Sequence, residues 1–172
     1  MKDSDVEVLR SIVGYIVHRL GVGSSAVSVL RVITTVYLCD WRAAITFQRQ
    51  LTKIAWKQPF VAKLPELEQF MSSLPDDFKM EVNPSGQPGG PTPRFVRFVG
   101  DPSLFFRLSS EETECIEFVI RVDLHSQWPK MFRLAYSTYP MLVKPNNPVL
   151  NLPELAKKYE RETFRNETLR VG

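Results

Sequence analysis

A chain of 172 residues with 44% hydrophobic and 24% charged side chains has the composition of one ordinary globular domain, long enough to bury a core without disulfides or metals. Its formal net charge of +3 comes from Lys and Arg spread along the chain without a block of like charge, so a nucleic-acid partner is not expected. The most apolar region, Val6 to Cys39, is interrupted by Glu7, Arg10, His18, Arg19 and Arg31, leaving no uncharged run long enough to cross a bilayer and no reason to expect a membrane partner.

Ser4 followed by Glu7 reads as a capping box, and Val6, Leu9, Val13, Ile16 and Leu20 repeat along one helix face that ends at Gly21. The opening run Met1-Lys2-Asp3-Ser4-Asp5 is too acidic for a signal peptide. Ser24 or Ser25 can cap a second helix whose face runs Leu30, Ile33, Tyr37, Trp41 and Ala44, buried through much of its length. From Thr46 to Val61, with Trp56 and Phe60 around Pro59, a short irregular or helical connection is expected. Leu67, Phe70, Met71 and Leu74 then mark a helix with Pro65 in its first turn.

Residues 83 to 93 carry the prolines and glycines of a long mobile tip, flanked by Phe78 to Val82 and Arg94 to Val99, and predict a β-hairpin. Two strands alone are marginal, so their apolar side must lie on the helices. Ser109 with Glu112 is a second capping box, opening a helix through Ile116, Val119, Ile120 and Leu124. Trp128-Pro129 starts a short helix with an apolar face of Met131, Phe132, Ala135, Tyr136 and Tyr139, which Pro140 should end. Asn151 with Glu154 makes a third capping box, with Pro153 in the first turn of a final helix. Beyond Lys158 the chain turns polar, and residues 161 to 172 are expected to be frayed helix or tail.

Several motifs invite chemistry and carry little of it. Gly21-Val22-Gly23-Ser24-Ser25-Ala26 matches a dinucleotide fingerprint, but that motif needs a strand before it, where this chain has a helical repeat. His18 and His125 stand in no metal-ligand spacing. Cys39 and Cys115 fall in separate helical patterns without a Cys-x-x-Cys element, which fits a reducing cytoplasm. Asp76-Asp77 and Glu111-Glu112-Glu114 read as a turn and as a first helical turn favoured by the helix dipole, not as acid–base pairs. Asp40 lies at the edge of an apolar face, so its carboxylate needs a partner: it can cap another helix, pair with Arg42 or another internal cation, or clamp a ligand. Arg94-Phe95-Val96-Arg97-Phe98 interleaves cations and aromatics as single-strand binders do, yet alternation splits them between two faces and favours an amphipathic strand with arginines guarding its edge. With no catalytic or metal constellation evident, an enzyme is not expected, nor a cofactor.

Two segments are the most informative, Val36-Tyr37-Leu38-Cys39-Asp40-Trp41-Arg42 and Tyr136-Ser137-Thr138-Tyr139-Pro140-Met141. They resemble the Panacea domain family, which includes SocA-like antitoxins and protease adaptors and many phage-associated proteins. There an apolar helix carries a Leu-Tyr-Leu-Ala-Asp-like run and a later segment a Tyr-Ser-Thr-x-Pro pattern, followed by a Leu-Asp-Leu-like helix start, here Leu150-Asn151-Leu152. This chain departs from the pattern at Gln58-Pro59, where a Gly-Pro step is usual, and at Asn151, which replaces an acidic cap.

The resemblance implies a single domain over residues 1–160 with a polar C-terminal tail at 161–172. The fold expected from resemblance and periodicity together is α+β, mainly α, with about five to six helices and one small antiparallel β-hairpin. Tyr37, Asp40, Tyr136, Ser137, Thr138 and Pro140 would form the scaffold motif. The function implied is that of a cytoplasmic antitoxin that neutralises a cognate protein toxin by direct binding; a SocA-like role would add a protease as second partner, and a phage protein modulating host defence would use the same scaffold. A nucleic-acid-binding regulator is the further alternative, and its affinity would fall steeply with salt. Interfaces favour aromatic and arginine anchors, which makes Trp41, Arg42, Arg94, Arg97 and Tyr139 the candidate partner-binding residues.

Overall fold

A computed structural model describes residues 3–21, 25–58, 65–82, 92–125, 128–143 and 148–168. The fold is α+β and mainly helical, with α1 (Asp3–Leu20), β1 (Val27–Ser28), α2 (Val29–Phe47), α3 (Pro65–Ser72), β2 (Phe78–Val82), β3 (Arg94–Phe98), a 3-10 helix (Pro102–Arg107), α4 (Ser110–Leu124), α5 (Trp128–Tyr136), α6 (Tyr139–Leu142) and α7 (Leu152–Thr168). There are thus more helical segments than periodicity predicts, because the 3-10 turn and the four-residue α6 are too short to show a repeat.

α2 is the axis of the molecule. Val32, Ile33, Val36, Tyr37, Ala43 and Ala44 are fully buried, and α1, α4, α5, α7 and the sheet all pack around it. A helix apolar on nearly every side is stable only with neighbours on every side. α1 turns Ile12, Val13, Ile16 and Val17 inward, and α4 contributes Cys115, Ile116, Val119 and Ile120.

The expected hairpin is present and carries a third strand. β2 and β3 pair antiparallel with Phe78 opposite Phe98 and Met80 opposite Val96, and β1 adds to the other side of β3 with Val27 opposite Val96. Phe78, Val96 and Val27 form the buried side of this sheet. Gly14 lets α1 approach closely, since a Cβ there would lie 3.0 Å from the Phe98 ring and 3.3 Å from Phe105.

Helix ends differ from expectation in four places. Ser4 lies inside α1, and the Glu7 carboxylate meets Arg107 at 2.7 Å and Arg10 at 3.5 Å in place of closing a capping box. Ser25 does not cap α2, because β1 intervenes and Ser28 is the residue before the helix, without a side-chain cap; Ser24, the other candidate, lies outside the described residues. Pro140 does not end α5; that helix stops at Tyr136, and Pro140 sits in the first turn of α6, where its missing N–H is harmless. The expected tail is helical up to Thr168, residues 169–172 lying outside the described part. The Ser109–Glu112 box forms fully, and Asn151 accepts from the Glu154 N–H at 3.3 Å. Residues 83–91, most of the expected tip, and Pro59 and Phe60 lie outside the described residues.

Ion pairs tie the helices together across long stretches of chain. Arg10 grips Asp77 through two nitrogens, at 2.5 and 3.0 Å. Arg19 and Tyr15 converge on Glu117 at 2.6 and 2.7 Å. The Arg19 guanidinium holds the Glu117 carboxyl below its ordinary value of 4.5. A lowered folded value means that the stability this group supplies is complete above pH 4.5 and is lost as pH falls through the folded value. Glu117→Gln should therefore flatten the acid limb of a melting-temperature profile recorded from about pH 6 to about pH 3.

Candidate functional site: a buried carboxylate hub and an apolar face

The two segments singled out in the sequence come together. The Tyr37 hydroxyl lies 2.7 Å from Thr138 Oγ1, and Thr138 Oγ1 lies 2.7 Å from the carbonyl of Ala135, to which it can donate. Pro140 is buried, and its carbonyl accepts from Gln58 Nε2 at 2.7 Å, which also donates to the Val143 carbonyl at 2.8 Å. Tyr136 packs on Phe132 with the two rings tilted by 49°, and Ser137 closes the end of α5 by donating to the Leu134 carbonyl at 2.9 Å.

Asp40 is the centre of this arrangement and is fully buried. Its carboxylate accepts from the backbone N–H groups of Leu51 (2.9 Å) and Thr52 (2.8 Å), the Thr52 hydroxyl (2.5 Å) and the Trp56 indole (2.7 Å), with Gln50 at 3.4 Å. Burial pushes this carboxyl above its ordinary range, while the hydrogen bonds from Thr52, Trp56 and Gln50 pull it back. The pairing with Arg42 or another cation that its position suggests does not occur among the described residues. Neutral donors fill the role and fold residues 50–56 against α2. Trp56, edge-on to Tyr37, passes the order onward by accepting at its carbonyl from the Leu150 N–H at 2.8 Å. The hub is therefore a scaffold that sets α7 in place, and every oxygen that could reach a ligand is already occupied.

Both cysteines belong to the same interior. Burial raises the Cys39 thiol well above its ordinary value and pushes Cys115 up to about 11. A thiol so held is a poor nucleophile. The native chain should react slowly with a thiol-specific disulfide reagent, and denaturation should release both thiols at an ordinary rate.

The surface beside the hub has a different character. Trp41, Arg42 and Ile45 of α2, Phe118 and Val122 of α4 and Leu134 of α5 line an open, almost wholly apolar hollow of about 170 Å³. A second hollow of about 240 Å³ shares Ile45 and is lined by Tyr159, Thr163, Phe164, Glu160 and Ala156 of α7. Phe118, Leu134 and Phe164 are 41%, 43% and 63% exposed. The Arg42 guanidinium carbon lies 4.2 Å above the Phe118 ring, a cation–π contact.

Of the expected partner-binding residues, three converge here. Trp41 forms part of the hollow's wall and meets Tyr159 edge-on, Arg42 sits at its rim, and Tyr139 packs on Tyr159. Arg94 and Arg97 do not join them. Both lie on β3, where Arg94 pairs with Glu68 and Arg97 with Glu81 across the sheet at 3.0 Å. Phe118, Leu134 and Phe164 are not among the residues expected from sequence, because a helical stripe marks the core and not the surface beside it. Each is a large apolar residue off the buried stripe of its helix, and that misfit was the available signal.

Among the described residues no group of three or more His, Cys, Asp and Glu is placed to hold a metal ion, and no helix is long and apolar enough to cross a membrane. No family model matches the chain, and no curated protein or solved structure matches it either.

Proposed function

We propose that this chain is a non-enzymatic binding protein of the Panacea type, a cytoplasmic antitoxin that holds a toxic partner protein inactive through a direct interface. The observation that carries the reading is the apolar face flanking Ile45, where Phe118 and Leu134 stand open beside the cationic Arg42. Aromatic and arginine side chains around an apolar centre are the usual composition of a specific protein interface. The resemblance of the Tyr37–Arg42 and Tyr136–Met141 segments to antitoxins supplies the biological class.

The test is co-expression with the product of the neighbouring gene. That product should arrest growth alone and be harmless beside this chain. A product that is harmless alone, or still toxic in the presence of the chain, defeats the proposal. Within the complex, Phe118→Ala should weaken binding by about 2 kcal/mol, roughly thirtyfold, in a titration calorimeter. Its melting temperature should stay close to that of the parent, since an exposed side chain contributes little to the fold.

A further inference from the structure

We infer that the groove flanking Ile45 takes an amphipathic α-helix of the partner, one whose apolar stripe fills the two hollows and which places a carboxylate against Arg42. This inference rests on the protein-binding reading and specifies its ligand. The two hollows, about 170 and 240 Å³, are each smaller than the roughly 300–1,000 Å³ of a small-molecule pocket. Two shallow depressions that share one lining residue, Ile45, suit successive side chains of a segment better than one compact ligand.

The walls decide which kind of segment. α2, α4, α5 and α7 supply them, and helices offer no free backbone edge. An extended peptide laid there would turn its own N–H and C=O groups against apolar surface without partners, at a large desolvation cost. A helix satisfies those groups internally and presents apolar residues at the three- and four-residue spacing that adjacent hollows accept.

Charge sets the flanking residue. Arg42 is the sole charged side chain lining the first hollow. Its guanidinium rests on Phe118 and makes no ion pair among the described residues; Arg121, Arg133 and Arg161 share that lack of a pair, but none of them lines either hollow. A guanidinium already oriented by a ring is suited to a carboxylate arriving from outside. The same charge disfavours a twofold copy of this chain on the groove, which would bring Arg42 toward its own equivalent.

The experiment uses the full chain and two labelled helix-forming peptides that share one leucine stripe and differ in a single flanking residue, Glu or Lys. Fluorescence anisotropy should show the Glu peptide binding at least tenfold more tightly than the Lys peptide. Arg42→Glu should reverse that order, and Leu134→Asp should abolish binding of both, each variant retaining the parent's circular dichroism and melting temperature. Equal binding of the two peptides, binding of neither, or an order unchanged in Arg42→Glu would overturn the inference. So would loss of the groove to self-association in the centrifuge, or preferential binding to anionic phospholipid vesicles. Co-expression tests the antitoxin role separately, so either idea can fail while the other stands.

Discussion

Replacing Asp40 with alanine is expected to destabilise the protein by roughly 3 to 5 kcal/mol, enough to consume much of the usual stability of a domain of this size. The methyl group would strand the Leu51 and Thr52 N–H groups and the Trp56 indole, all now bonded to the carboxylate. A buried donor without an acceptor costs about 1 to 3 kcal/mol. Relaxation of residues 50–56 would limit the total by letting some donors reach water. Trp56 is fully buried, so release of this loop should appear as a red shift of tryptophan emission along with the lower urea midpoint. Asp40→Asn keeps the shape and one acceptor oxygen but sets an amide N–H₂ among donors, and should fall between the parent and the alanine variant. A melting temperature within a few degrees of the parent for Asp40→Ala would mean that the hub does not hold the loop.

Asp123 gives the second large effect, for a different reason. Its side chain is fully buried, and Arg31 reaches both its oxygens at 3.0 and 3.1 Å, while the Thr35 hydroxyl donates at 3.2 Å. Asp123→Ala removes the carboxylate that Arg31 and Thr35 meet and should cost about 3 kcal/mol in urea unfolding, the low end for a broken buried pair, because the Arg31 side chain is 26% exposed and can turn toward water. Replacing both partners by apolar groups, Arg31→Met with Asp123→Leu, should recover most of that loss. The net worth of a buried pair is small beside the penalty of a lone charge. If the double variant is no better than Asp123→Ala, the pair itself, not the uncompensated arginine, is what the fold needs. Phe106→Ala, at a side chain 90% exposed, should move stability by less than about 0.5 kcal/mol and serves as the reference.

How much of this was legible in the sequence depends on whether a feature repeats. α1, α2 and α4 follow from apolar spacing because each buries a stripe several turns long, and the Ser109–Glu112 box marks its helix start unaided. β1 is two residues long, too short for alternation to show. Pro140 was ambiguous in principle, since proline suits the residue after one helix and the first turn of the next equally well. For Asp40 the sequence told that a partner was needed and not which. Two of its donors are backbone N–H groups in an irregular stretch, and those carry no residue signature. The apolar face was invisible as a face because its members come from four helices, and only packing makes them neighbours.

The long-range pairing of the helices also bears on how the chain reaches this state. Tyr37 meets Thr138 across 101 positions, Arg19 meets Glu117 across 98 and Arg31 meets Asp123 across 92. Folding rates fall as contacting residues lie farther apart in sequence, because chain closure must precede the contacts that stabilise it. A protein made mostly of helices is therefore placed, by its wiring, among the slower mixed folders rather than among simple bundles. The rate of folding is thus expected to be set by the closure of α1 and α2 onto α4 and α5, not by the formation of any one helix.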